Sequence, residues 1–92
     1  MRLMDGVIVV PNGKDHVLVT AGDAQAVFAG MIVLNDSATL IVQALQEETS
    51  EQALVELLLD TFVITEEAAR NAVARVLGQL SNLGLIIREE QI

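Results

Sequence analysis

The run Met31-Ile32-Val33-Leu34 is apolar at every position, and this limits what can surround it. A strand points successive side chains to opposite faces, so a half-buried strand alternates apolar with polar residues. Here neither set is polar. Phe28, Ile32 and Leu34 stand at even positions, and Val27, Ala29, Met31 and Val33 at odd ones. Only one set can meet the chain's own helices. The other needs curvature, a second copy or another molecule to cover it.

The residues around this run set its context. Val7 to Val10 is β-branched throughout and reads as a first strand. Pro11-Asn12-Gly13-Lys14-Asp15 is a turn signal centred on Asn-Gly. Val17 to Thr20 reads as a second strand, Gly22-Asp23 as a turn, and Ala26 to Leu34 as a third extended stretch bent at Gly30. Short connections make this an antiparallel meander. Asn35-Asp36-Ser37 then starts a helix carrying Ala38, Ile41, Val42 and Leu45. Thr49-x-x-Gln52 has capping-box form ahead of Leu54, Leu57, Leu58 and Phe62. After a hinge at Val63-Ile64, Thr65-Glu66-Glu67 opens a last helix to about Leu83, closed by Gly84. Leu85-Ile86-Ile87 returns over the core or adds a short strand. Strands followed by helices predict an α+β fold: a three-stranded antiparallel sheet over about 7–34, then three helices over about 36–83, in one domain of 92 residues.

Composition excludes several functions. Net charge is −8, and from Asp15 through Ala69 ten acidic residues, Asp15 included, stand without one Lys or Arg. Nucleic-acid affinity rests on basic side chains that neutralise phosphates, so most of this surface repels a duplex. With no cysteine, disulfides, thiolate nucleophiles and Cys-ligated metals are excluded. The apolar runs are too short for a membrane span, and the start Met-Arg-Leu-Met-Asp-Gly lacks the core of a secretory signal. A cytoplasmic protein is expected. His16 is the only histidine, and the pairs Glu47-Glu48 and Glu66-Glu67 are explained by helix starts and solvation. No set of residues supplies nucleophile, base and oxyanion donors together, so neither catalysis nor a cofactor or metal is expected.

The last helix shows where a ligand could lie. Ala69, Val73, Val76, Leu80 and Leu83 form a core seam. One flank carries Ala68, Ala72, Arg75 and Gln79, and small residues at the edge of a seam leave a groove. This flank is either a helix edge meeting solvent or, together with the apolar strand, one cleft for an extended peptide.

The stretches Gly30-Met31-Ile32-Val33-Leu34-Asn35-Asp36, Leu45-Gln46-Glu47-Glu48-Thr49-Ser50-Glu51-Gln52-Ala53-Leu54, Val73-Ala74-Arg75-Val76-Leu77-Gly78-Gln79-Leu80 and Leu83-Gly84-Leu85-Ile86, with Asp5-Gly6 before them, resemble the PqqD-like family. Its fold is also called the RiPP recognition element, after ribosomally synthesised and post-translationally modified peptides. The resemblance implies a winged-helix-like, non-catalytic peptide chaperone. Such a domain binds the leader of a precursor peptide as an extra strand along the third strand of the sheet, walled by the third helix. Carried over by position, Val27, Ala29, Met31, Ile32 and Val33 line the strand side, and Ala68, Ala72, Arg75, Val76 and Gln79 the helix side. It also implies a modifying enzyme as partner, commonly a radical S-adenosylmethionine maturase. The chain departs from many relatives at Leu40-Ile41-Val42, where an aromatic residue is frequent, and at Asn71-Ala72, where an acid is. The pathway therefore stays open.

Two other readings remain. A winged-helix transcriptional regulator shares the fold, but the last helix sets two arginines against two glutamates and has no lysine. A homodimer could pair apolar strands across a two-fold axis, with or without peptide binding.

Overall fold

The computed structural model describes residues 1–88. The elements run β1 (Arg2–Leu3), β2 (Val7–Asn12), β3 (Asp15–Thr20), α1 (Asp23–Val27), β4 (Met31–Leu34), α2 (Asp36–Ala44), α3 (Glu51–Thr61), α4 (Glu66–Asn82) and β5 (Ile86–Ile87). This is the expected α+β order: a three-stranded antiparallel sheet β2-β3-β4 followed by the three main helices.

Three features differ from the sequence reading. The stretch from Ala26 is not one long strand, because Asp23–Val27 forms a short helix and the strand begins at Met31. Ala24, the second residue of α1, is completely buried, and tertiary packing thereby outweighs the extended preference of Val27, while Phe28 caps the helix in an extended conformation. The second start lies one residue later than the capping-box pattern suggests. Ser50, not Thr49, is the N-cap of α3, and its side chain accepts from the Ala53 amide at 3.1 Å. Finally, the returning segment does add a strand, at Ile86–Ile87, but in a separate ribbon: β5 pairs with β1, with Arg2 opposite Ile87 and Leu3 opposite Ile86.

The register sorts the sheet into two faces. Val9, Leu18 and Ile32 form one cross-strand row, and Pro11, His16 and Leu34 another. This face lies on the helices, since Leu18 and Leu34 belong to the core and Val9 and Ile32 pack against it. The core itself is almost wholly aliphatic. Leu18, Ile41, Leu45, Leu54, Leu58 and Leu85 are its largest completely buried side chains. Each such side chain contributes about 1.5–3 kcal/mol on leaving water. Ala69, Val73, Val76 and Leu80 of the α4 seam are all buried, as is Leu77, which the seam omitted.

Helix ends follow local chemistry. Asn35 caps α2 by accepting from the Ala38 amide at 2.8 Å, and Thr65 caps α4 by accepting from Ala68 at 3.1 Å. At the far end of α4, Gly84 takes φ +79°, a left-handed conformation that a Cβ would strain. The Gly84 amide then donates to the Ser81 carbonyl and the Leu85 amide to the Leu80 carbonyl, both at 3.0 Å. This pair of bonds satisfies the last carbonyls and turns the chain back toward β1.

Candidate peptide-binding cleft

A sheet of three strands has two edges, and here they are unequal. The outer edge of β2 carries Pro11, which has no amide to offer, and its Val7 carbonyl already accepts from Gln46 Nε2 at 3.1 Å. The outer edge of β4 has no neighbouring strand among the described residues. Its backbone groups are available to pair with an added strand. The start of β4 is held by Thr20 Oγ1, which donates to the Phe28 carbonyl at 2.6 Å. Its end is held by Asn35, whose Oδ1 accepts from both Ala38 N and Ser37 Oγ.

Beside this edge lies a cleft of about 130 Å³, walled by Ile32 to Asn35 on one side and by Arg75, Val76, Gln79 and Leu80 on the other, with Ala38 and Val42 at its floor. A second, more open hollow of about 400 Å³ adjoins it at Asn35, which borders both. That hollow is formed by Asp36, Ser37, Phe62, Ile64, Ala68 and Ala72. The small side chains of Ala68 and Ala72 leave this space. Strand edge and helix flank thus form one trough, with the beginning of α4 next to the end of β4.

Seven of the ten residues expected to line a peptide site fall on this trough. Ile32, Val33, Arg75, Val76 and Gln79 line the cleft, and Ala68 and Ala72 the adjoining hollow, while Met31 stands exposed on β4 with its side chain on the other face of the sheet. Val27 and Ala29 do not belong to the strand. Val27 ends the short helix α1, where its Cγ1 approaches Gly84, and Ala29 lies in the connection before β4. Sequence reading missed Asn35, Ser37, Phe62 and Ile64. The first two were read only as helix-start residues, and Phe62 as core, because capping and periodicity account for them fully.

The charges in the trough are sparse. Arg70 is engaged on the opposite side of α4, donating to Glu66 at 3.1 Å and to Gln52 at 3.2 Å. Arg75 has no carboxylate partner among the described residues and faces the cleft. Asp36 supplies negative charge at the other end. Among the described residues, no group of three His, Asp or Glu side chains is placed to hold a metal ion. His16 sits mid-sheet between Pro11 and Leu34, away from any second histidine. No helix among the described residues is long and apolar enough to cross a membrane.

Fold and site together define an α+β domain with one open sheet edge set against a helix. Residues 7–86 match the family model for coenzyme PQQ synthesis protein D (PqqD), and the chain belongs to that family. Two solved structures share its fold. One is TbiB1 in complex with the TbiA(beta) leader peptide, at 15% identity and a TM-score of 0.74, covering 99% of this chain and 100% of that one. The other is lasso peptide synthetase B1 complexed with the leader peptide, at 24% identity and a TM-score of 0.70, covering 95% of this chain and 96% of that one. Among curated proteins, none matches this chain in sequence.

Proposed function

We propose that this protein binds the leader segment of a ribosomally made precursor peptide and presents it to a modifying enzyme, acting as one peptide-binding unit. The observation that carries this reading is the open edge of β4 beside a cleft lined by α4. An extended peptide added there gains main-chain hydrogen bonds along β4, and alternate side chains enter the cleft. Family membership supports the reading, as does a fold shared with two proteins whose structures hold a leader peptide.

The chaperone does no chemistry in this scheme. Holding the leader raises the effective concentration of the attached core peptide at the enzyme's active site. The partner enzyme is a peptide maturase, of the radical S-adenosylmethionine class in the reading the family resemblance implies. Arg75, free of partners among the described residues, pairs with an acidic leader residue.

The test is a titration of the protein into fluorescently labelled leader, taken from the short reading frame beside its gene. Saturable anisotropy, together with new exchange protection of the β4 amides, is the expected result. Folded protein that leaves the anisotropy flat at high micromolar concentration would argue against the reading.

A further inference from the structure

The open edge of β4 carries no mark of register, since the strand is apolar at every position from Met31 to Leu34. Side chains and main-chain groups of a strand repeat every two residues. A peptide laid along such an edge can therefore slip by two and meet the same faces and the same hydrogen bonds. Each such slip moves whatever is attached to the peptide by about 6.6 Å. Register has to be set at the ends of the strand.

The two ends differ. Past Leu34 the trough stays open and continues into the hollow beside Phe62 and Ala72. At the other end stands Phe28. Its amide donates to the Ala24 carbonyl at 2.9 Å and is thereby turned into α1. Its carbonyl accepts from Thr20 Oγ1 at 2.6 Å and is drawn toward β3, away from the open edge. The ladder of an added strand has no main-chain partner there.

The ring is a second barrier. Phe28 is half-buried against the core, and a Cβ added to Gly30 would stand 2.9 Å from its Cζ. The ring thus fills the side-chain place of position 30, next in line to Ile32 of the cleft wall. Behind it Val27, at the end of α1, approaches Gly84 just past the end of α4, so the strand-side and helix-side walls converge. The trough is open at Phe62 and blind at Phe28, the two aromatic residues of the chain.

We propose that Phe28 is a positioning residue that sets the register of the bound leader: the added strand runs along β4 until it meets this blind end. The inference rests on the leader-binding reading and adds to it what fixes the leader lengthwise on an edge that is otherwise uniform.

The chain has no cysteine, so a single Val33→Cys gives one thiol on the exposed outer face of β4, clear of the ring. Leaders carrying one cysteine at successive positions are equilibrated with this protein in a thiol–disulfide buffer, at concentrations that saturate it. Disulfide yield then reports which leader residue lies opposite position 33, because directly opposed Cβ atoms are only about 4.5–5.5 Å apart. The same scan is run with Phe28→Ala and with Phe28→Leu, which keeps an apolar contact with the core but loses the ring tip at Gly30.

The expected result is one peak with Phe28 intact. In both variants a second peak appears two residues away, with the leader moved toward the vacated end and the yield there at least about three-fold above that with Phe28. A purely structural role would lower the melting temperature and leave the peak in place. An unmoved single peak in the folded variants overturns the inference. So does a protein with Phe28 intact that already gives equal yields at alternate leader positions, since nothing then sets the register. Absence of saturable leader binding by the wild type defeats the leader-binding reading, and this inference with it; saturable binding with an unmoved peak defeats this inference alone.

Discussion

Val33 pairs directly with Val17 across the β3–β4 ladder, on the same face of the sheet, yet Val33 is 65% exposed and Val17 only 3%. Their residue type is identical, so position accounts for the difference. Val17 has a strand on each side, and Val33 has one on one side only. An added strand would give Val33 the cross-strand neighbour it lacks. Val33→Asp should therefore weaken leader binding by about ten-fold or more while leaving thermal stability close to wild type, as expected for an exposed position. Anisotropy and a melting curve on the same preparation measure both effects.

Arg75 tests the polarity of the ligand. Arg75→Glu should weaken leader binding roughly five- to ten-fold, on the order of 1 kcal/mol for an exposed pair made repulsive, and more at low salt than at high. Arg70→Ala, on the engaged side of α4, should leave affinity untouched. Equal affinity for wild type and Arg75→Glu would sink the proposed pairing with an acidic leader residue.

The cap of α3 can be located by comparing two neighbours. Ser50→Ala should cost about 1 kcal/mol in urea denaturation, because the Ala53 amide loses its acceptor. Thr49→Ala should cost much less, since its side chain is not the cap. The reverse ranking would restore the capping-box reading.

Gly84→Ala should destabilise by about 1–2 kcal/mol, because φ +79° is unfavourable for any residue with a Cβ. The added methyl would also stand 3.1 Å from Val27 Cγ1. A denaturation midpoint equal to wild type would show that the turn can relax.

Thr39 is buried, and its Oγ1 has no hydrogen-bond partner among the described residues. Thr39→Val removes the stranded hydroxyl at nearly constant shape. It should be neutral or stabilising by up to about 1 kcal/mol. A loss of stability would mean that the hydroxyl is satisfied.

Much of the fold was legible because short-range signals agree with it. β-branched Val7 to Val10, the α4 seam of Ala69, Val73, Val76 and Leu80, and the stop at Gly84 each name their element without knowledge of the rest. The short helix α1 was not legible. Five residues give no helical period to read, and Val27 and Phe28 prefer extended structure. A short strand at Leu85-Ile86-Ile87 was one of the two outcomes the sequence offered, but its partner β1 was hidden, because two residues carry no pattern until they pair.

Patterning in the chain determined by itself that α4 has a core seam flanked by small residues, and that the 31–34 strand is apolar on both faces. These are properties of spacing and side-chain type, written into the order of residues. Only the tertiary structure decided which face of the strand meets the helices, because a shift of one residue in register would exchange Met31 and Val33 for Ile32 and Leu34. It likewise decided that Pro11 and Gln46 blunt one edge of the sheet while β4 stays open beside Arg75. Edges and clefts arise from strands and helices far apart in sequence, and they exist only once those elements have packed.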